Sequence, residues 1–194
     1  MRLLLILSLF TFLFVSCQSD PTEVTSEQDK KIISEIFGSN INLDQLPNYA
    51  SQTVPSYITR NNTGGNTIVN EKALIGRILF YDKNLSANNT VACASCHQQS
   101  HAFSDASMAS TGVNGTTGRH SMRLVNARFA AEARFFWDER AATLEAQTTQ
   151  PIQDHAEMGF SGQNGGPSLA DLLIKLKSKE YYQVLFRKIG RAHV

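Results

Sequence analysis

The run Cys93-Ala94-Ser95-Cys96-His97 constrains this 194-residue chain more than any other feature. Cys-x-x-Cys-His attaches a c-type haem: each thiol adds to one vinyl group of the porphyrin, and the histidine lies under the iron as an axial ligand. A zinc knuckle would need a second pair of cysteine or histidine ligands, and a thioredoxin-like dithiol would need a βαβ unit. The chain offers neither, so the motif predicts one haem c attached through Cys93 and Cys96 and ligated by His97.

The N-terminus has the features of an export signal. Arg2 supplies a positive charge, and residues 3–15 form an apolar stretch of signal length that is too short to span a bilayer comfortably. The stretch runs into Cys17 as in a bacterial lipoprotein signal. We expect residues 1–16 to be removed and Cys17 to carry lipid, which would anchor a periplasmic protein to a membrane. The alternative is an ordinary secretory signal with no role for Cys17, and it predicts the same envelope compartment.

The remaining composition agrees with an exported haem protein of one domain. Three cysteines are awkward for a disulfide framework, but one that carries lipid and two that carry haem leave none over. A net charge of +1 gives no basic field, so nothing argues for a nucleic-acid partner. Polar residues follow the signal, and we predict a flexible, lipid-bearing stalk over residues 17–40 and the haem domain over residues 41–188.

The predicted secondary structure is helical. Helices are predicted over residues 32–37, 70–81, 134–150 and 168–186. Asn70 is the expected N-cap of the second, and Ser168 with Asp171 forms a capping box for the last. Alternating β-branched segments are scarce. The predicted fold class is therefore all-α, a cytochrome c-like haem domain with long loops.

An ordered series of short motifs resembles the N-terminal haem domain of the bacterial di-haem cytochrome c peroxidases. The resemblance runs from about Leu74 to Phe186, around the haem motif. It rests on Leu79-Phe80-Tyr81-Asp82, Leu85-Ser86, Ala102-Phe103-Ser104-Asp105, Gly112, Gly115, Leu124-Val125-Asn126, Phe136-Trp137-Asp138-Glu139-Arg140, Leu144-Glu145, Gln147, Pro151 and Glu157-Met158-Gly159. The same family includes the di-haem enzyme that matures tryptophan tryptophylquinone, so the resemblance does not fix the substrate.

The resemblance implies a role for each of five residues. His97 is similar to the proximal ligand of the peroxidatic haem. Gln147, Pro151 and Glu157 stand at the spacing of the distal pocket, where Gln147 would position peroxide, Pro151 would keep the distal face tight and Glu157 would move a proton between the two peroxide oxygens. Trp137 stands where the family has an indole between its two haems, which can relay electrons.

Each of these residues also has an ordinary structural interpretation. Trp137 can be a core aromatic, Glu157 a surface carboxylate and Gln147 part of a solvated helix face. Met158 resembles an axial ligand, but the family's methionine ligand belongs to the other haem, and we expect Met158 to pack in the core. The complete set at matching spacing favours the functional interpretation.

The sequence departs from the family in its histidines. Typical members carry a distal histidine in the loop after the motif, and residues 107–118 here contain none. His101 follows the proximal ligand too closely to cross easily to the other face, whereas His155 and His120 are candidates for a sixth iron ligand. His120 also replaces an asparagine that helps to hold calcium in the family. Imidazole is a poor ligand for that cation, so calcium is doubtful here.

The family has a second domain with its own Cys-x-x-Cys-His, which this sequence lacks. A second haem is therefore expected only in a full-length protein. Residues 189–194 read like a translated sequencing adapter, which predicts an artefact that ends a truncated gene, and His193 should bind nothing. A genuine short tail is the alternative.

The whole enzyme is expected to reduce hydrogen peroxide to water with electrons from a small cytochrome or copper protein. The chain itself, as one half of that enzyme, is expected to be inactive in full turnover. The alternatives are a mono-haem electron carrier and a protein-modifying di-haem oxidase of the same family.

Overall fold

Helices joined by long loops make up residues 26–131 and 134–191, which this computed structural model describes. The α-helices are α1 (Glu27–Phe37), α2 (Asn70–Tyr81), α3 (Cys93–Cys96), α4 (Leu144–Gln153), α5 (Leu169–Lys177) and α6 (Glu180–Arg191). Short 3₁₀ turns lie at Gly38–Asn40, Lys83–Leu85, Gln99–His101 and Ala127–Phe129. Strands β1 (Thr111–Gly112) and β2 (Gly115–Thr116) pair as an antiparallel hairpin. The fold is helix-rich, as predicted, with this hairpin as the exception.

The core lies where α6 packs against α1 and α2 and is flanked by α5. Tyr182 of α6 is 0% exposed, and Leu185 lies one turn later on the same face. The other members of the core are Ile33, Leu43, Leu74, Ile75, Ile78, Leu85, Met158, Phe160, Leu172, Leu176 and Val184. Because Met158 belongs to this cluster, the segment that carries Glu157 is anchored to the core.

The folded body begins earlier than the boundary at residue 41 suggests. α1 begins at Glu27, inside the predicted stalk, and the Ser26 side chain caps it by accepting the Asp29 N–H at 3.1 Å. Ile33 is 1% exposed, and Asp29 pairs with Arg187 of α6 at 2.6 Å. One apolar face is enough to bring this polar helix into the core. The predicted signal over 1–16, Cys17 and His193 lie outside the described residues.

The second predicted helix matches α2 in its bounds but not in its cap. Val69 precedes the helix as N-cap residue. The Asn70 side chain instead accepts the backbone N–H groups of Tyr49 at 2.8 Å and Ala50 at 3.0 Å. The predicted N-cap role of Asn70 is therefore wrong, because its side-chain oxygen Oδ1 binds the preceding loop to the start of α2.

The helix predicted over residues 134–150 is wrong in its first half. Thr143 caps α4, its side chain accepting the Ala146 N–H at 3.0 Å. Before it, Phe135 and Ala141 pair as an isolated bridge, and Phe136 and Glu139 have positive φ angles of 72° and 56°. Left-handed residues cannot continue a right-handed helix, so this segment forms a tight turn.

The helix predicted over residues 168–186 is two helices. Its start is confirmed, since Ser168 and Asp171 form the expected capping box. The chain turns at Ser178, and the Lys179 N–H bonds to the Leu176 carbonyl at 3.0 Å. This turn separates α5 from α6, and α6 then packs on α1 and α2. Across the described residues, every helix is too short or too polar to span a membrane.

Candidate haem site

The haem motif forms a closed single helical turn. The His97 N–H donates to the Cys93 carbonyl at 2.9 Å, and the Ser95 hydroxyl accepts the Ala92 N–H at 3.0 Å. Residues three apart lie on the same side of a helix, so the half-buried thiols of Cys93 and Cys96 share one face. This is the arrangement that two adjacent porphyrin vinyl groups require.

The His97 ring is oriented by a backbone carbonyl. Its Nδ1 lies 2.9 Å from the Phe103 oxygen, which can only accept, so Nδ1 carries the proton and Nε2 keeps its lone pair. The loop between them is closed by Gln98, whose N–H donates to the Ser104 carbonyl at 2.7 Å. Ala102 and Phe103 have positive φ angles of 55° and 57°, which turn the Phe103 carbonyl toward the ring.

The two thiols are held in their neutral form. Burial raises the pKa of both Cys93 and Cys96. At Cys96 a hydrogen bond from Ser110 opposes this effect, while the negative charges of Asp105 and Glu157 add to it. Glu157, sixty-one positions after Cys96 in the sequence, therefore lies within electrostatic reach of the Cys96 thiol.

Pro151 and Glu157 line one cleft of about 380 Å³. The other residues around it are Arg140, Gln150, Gln153 and Asp154. Gln147, which the resemblance implies for the same pocket, lies half-buried on α4 one turn before Pro151 and is not among the described lining residues. Gln150 and Gln153 are the amide side chains that line the cleft.

Glu157 is half-buried, and its environment favours the protonated acid more than water does. Burial raises the pKa of the Glu157 carboxyl, and the nearby Asp154 charge raises it further. The Arg140 guanidinium acts in the opposite sense. A carboxyl with this balance can accept and return a proton, which a fully solvated surface carboxylate does less well at neutral pH.

The backbone around Glu157 is fixed from two sides. The Asp154 carboxylate accepts the N–H groups of Ala156 at 2.8 Å and Glu157 at 3.0 Å. From the hairpin, the Val113 N–H donates to the Glu157 carbonyl at 2.9 Å. A Cβ on Gly112 would lie 2.0 Å from the Ala156 oxygen, so only glycine permits this approach.

Pro151 shapes the helix beside the cleft. It lies inside α4, where it has no N–H to give to the Gln147 carbonyl one turn earlier. α4 ends two residues later, and the Asp154 N–H closes it by donating to the Pro151 carbonyl at 3.2 Å. The interruption brings the chain directly from α4 into the turn that carries Glu157.

Trp137 is exposed and hydrogen-bonded. Its side chain is 60% exposed, which excludes the core interpretation. The indole N–H donates to the His120 carbonyl at 3.0 Å. The Asp138 carboxylate pairs with Arg119 and Arg140, each at 2.9 Å, and so holds the turn that presents Trp137. The indole is thus available at the surface in a defined orientation.

Both ring nitrogens of His120 are engaged. Nδ1 lies 2.7 Å from the Ser107 carbonyl and Nε2 lies 3.0 Å from the Ser104 hydroxyl. His155 is exposed, with Nδ1 3.4 Å from the Ser161 hydroxyl. Within residues 26–131 and 134–191, no three His, Cys, Asp or Glu side chains are grouped to hold a metal ion.

Sequence reasoning missed the groups that support the site. The Phe103 carbonyl is a backbone atom and leaves no signal in a sequence. Arg140 was visible only as one letter of a matching motif. The buried polar contacts of Ser110 also give no signal in the sequence. Ser110 donates to Asp105 at 2.5 Å and lies 2.7 Å from the Ser121 hydroxyl.

The residues present fit a haem c. Two neutral thiols share one face of a helical turn, and beside them an imidazole has its Nδ1 proton fixed and its Nε2 lone pair available. Metal-bound histidines in proteins have this kind of second hydrogen bond, which sets the tautomer and raises ligand basicity.

The chain is similar to known di-haem proteins. A family model described as di-haem cytochrome c peroxidase matches residues 70–191. Methylamine utilization protein MauG of Methylophilus methylotrophus is 33% identical over 62% of this chain and 34% of its own length. Cytochrome c peroxidase Ccp of Escherichia coli K12 is 31% identical over 64% of this chain and 25% of its own length.

A solved structure agrees with these matches. A MauG-like protein associated with microbial copper homeostasis superimposes with a TM-score of 0.61 and 31% identity, over 70% of this chain and 39% of its own. The chain therefore spans about a quarter to a third of the length of these curated relatives.

Proposed function

Since this chain belongs to the di-haem cytochrome c peroxidase family, we propose that it forms the peroxide-reacting part of an enzyme that reduces hydrogen peroxide to water. Electrons would come from a small cytochrome or copper protein. The observation that carries the proposal is the cleft that Pro151 and Glu157 share. The Glu157 carboxylate lies close enough to Cys96, the proposed attachment residue, for its charge to raise the pKa of that thiol. An electron carrier needs no half-buried carboxyl at that place.

Cys93, Cys96 and His97 would hold the haem, which supplies an iron that can bind and reduce peroxide. His97 would donate its Nε2 lone pair, while the Phe103 carbonyl keeps the ring in one tautomer and one orientation. Thioether bonds to Cys93 and Cys96 would keep the cofactor in place.

Glu157 would carry the proton step. Heterolysis of peroxide requires that a proton leave the near oxygen and reach the far one, which then departs as water. The Glu157 carboxylate accepts the first proton and returns it to the leaving oxygen. The complete reaction takes two electrons and two protons per hydrogen peroxide and yields two waters. The raised pKa of Glu157 favours both the uptake and the return of the proton near neutral pH.

Trp137 would relay electrons to this site. An aromatic ring can be oxidised and reduced one electron at a time, and the exposed indole is held by the His120 carbonyl. Because the ring faces outward, its electron source would be another domain or protein rather than this chain.

We also propose that the protein works in the bacterial envelope, anchored through lipid on Cys17. The support is the signal pattern of residues 1–17. Metabolic labelling with a fatty-acid probe tests it: label should be incorporated by the wild type and lost in Cys17→Ser. Equal labelling of both would remove the anchor.

Rapid mixing of the haem-loaded protein with hydrogen peroxide tests the proposed function. The oxidation rate should rise linearly with peroxide concentration, and each peroxide should accept two electrons from a reduced carrier, slowly if this chain acts alone. A mono-haem electron carrier would exchange electrons with the reduced carrier yet react with peroxide no faster than a haem peptide. That second result would reject the peroxidase.

A protein-modifying oxidase is the second candidate. The similarity to MauG and to a MauG-like structure favours it, as does an exposed indole that can pass an oxidising equivalent to another protein. In that case peroxide would be consumed without a small redox carrier, and a protein partner with oxidised side chains would accumulate.

A further inference from the structure

Arg140 lies between the two features that the proposed function uses, the turn of Trp137 and the cleft of Glu157. Its Nη1 donates to Asp138 at 2.9 Å and its Nε donates to the Gln150 side chain of α4, also at 2.9 Å. The guanidinium carbon lies 3.5 Å from the centre of the Phe136 ring. A planar guanidinium stacked on one ring and bonded at two edges has little freedom.

We propose that Arg140 is a positioning residue of the peroxide site, joining the turn that carries Trp137 to α4 and controlling the charge of Glu157 across the cleft. The inference rests on the proposed function. It adds a residue that has no direct role with peroxide or haem in the proposed reaction, and that fixes both the Trp137 turn and the charge of the Glu157 carboxyl.

The ionisable surroundings of Glu157 are few in the described structure. Asp154 belongs to its own turn, Cys96 faces it from α3, and Arg140 faces it from the preceding turn. Residues 111–116 of the hairpin contain no ionisable side chain. Once Cys96 is a thioether it cannot ionise, so Arg140 is the nearby positive charge that opposes burial and Asp154.

Arg119 provides a matched control. It binds the same Asp138 carboxylate at the same distance, 2.9 Å, but through the other oxygen, and it does not line the cleft. Removal of either arginine takes one ion pair from Asp138. Only removal of Arg140 takes a positive charge from the cleft and a bond from Gln150.

The test is an infrared titration of Glu157 in the haem-loaded protein. The carboxylic acid band of Glu157 is identified by its loss in Glu157→Gln, and its midpoint is then measured in wild type, Arg140→Met and Arg119→Met. We expect the midpoint to move to higher pH in Arg140→Met and to stay at the wild-type value in Arg119→Met. Equal midpoints in all three proteins, or equal shifts in both variants, would overturn the inference.

Arg140→Lys guards against a variant that fails to fold. Lysine keeps the positive charge but cannot reproduce the stacked, two-edged geometry. Its Glu157 midpoint should therefore stay near that of the wild type, whereas electron delivery through Trp137 in the full-length enzyme should slow. A midpoint in Arg140→Lys as high as in Arg140→Met would also overturn the inference.

The two proposals fail separately. If Glu157→Gln reacts with peroxide as fast as the wild type, the proton role of Glu157 is wrong, yet the infrared midpoints still decide whether Arg140 controls the carboxyl. If Glu157→Gln is slow but Arg140→Met titrates like Arg119→Met, only the role of Arg140 is lost.

Discussion

His97 donates its Nδ1 proton to the backbone carbonyl of Phe103 over 2.9 Å. The carbonyl reaches the ring because Ala102 and Phe103 both adopt left-handed backbone angles. The proximal side of the site therefore depends on two residues in a conformation that costs an ordinary L-residue roughly 1–2 kcal/mol each.

Substitution of Ala102 should test this dependence. Ala102→Val adds a β-branched side chain at a φ of 55° and should lower both the unfolding free energy and the yield of His97-ligated haem. Ala102→Gly relieves the same strain and should fold at least as stably as the wild type. Thermal unfolding and the visible spectrum measure the two effects. A valine variant that matches the glycine variant in both would contradict the role of the loop.

Each of the two thiols should form one thioether bond to the haem. The wild type, made with a cytochrome c maturation system, should keep its haem through acid-acetone extraction and give a pyridine haemochrome of the c type. Cys93→Ala and Cys96→Ala should each leave at most one thioether, whereas His97→Ala should remove the axial ligand and spare attachment. Extraction of haem from the wild type would reject the covalent site.

The resting ferric protein should be high-spin and bind cyanide without prior reduction. Residues 107–118 contain no histidine, and both nitrogens of His120 are engaged by Ser104 and Ser107. Electron paramagnetic resonance checks the spin state. A low-spin bis-histidine signal would contradict the expectation, and its loss in His120→Ala or His155→Ala would identify the ligand.

The side chains that the sequence singled out lie close together in two places. Cys93 to Cys96 form one helical turn with His97 as its C-cap, and Pro151 and Glu157 line one cleft. Their roles in haem binding and peroxide chemistry stay predictions. The sequence predicts helix at the turn of Trp137, because the residue types of Phe136 and Glu139 do not indicate the positive φ angles that they adopt.

Backbone groups and contacts between residues far apart in the sequence account for the other differences between the predictions and the structure. The Phe103 carbonyl is invisible in a sequence, and Asn70 looked like an N-cap because its bond to Tyr49 spans 21 residues. Gln147 follows the family spacing but is not among the residues that line the cleft, whereas Gln150, three residues later on α4, is.

Asp82 should make the protein acid-sensitive. Burial opposes its ionised form, but hydrogen bonds from the Asn84 N–H and from the Tyr181 and Tyr182 hydroxyls, each hydroxyl at 2.7 Å, outweigh burial and lower the pKa of the carboxyl. A lowered pKa contributes stability above the unfolded-state pKa, and that stability is lost as the pH falls through the folded-state pKa.

Asp82→Asn should lower the unfolding free energy by about 1.5–3 kcal/mol at neutral pH, the range for hydrogen bonds to a charged group. The unfolding free energy of this variant should also fall less steeply as the pH is lowered. Asp44→Asn, which breaks a solvent-screened pair with Lys30, should lower the unfolding free energy much less than Asp82→Asn does. Urea unfolding at neutral and acidic pH measures both. Equal losses in the two variants would argue against Asp82 as the centre of this network.

Stopped-flow mixing of the haem-loaded protein with hydrogen peroxide tests the role of Glu157 most directly. Glu157→Gln keeps the size of the side chain and removes its ability to accept a proton, so the bimolecular rate should fall by about 10²–10⁴-fold, the usual contribution of general acid–base catalysis. Glu145→Gln, at the exposed start of α4 and outside the residues that line the cleft, should react like the wild type. A Glu157→Gln rate equal to that of Glu145→Gln would contradict the account.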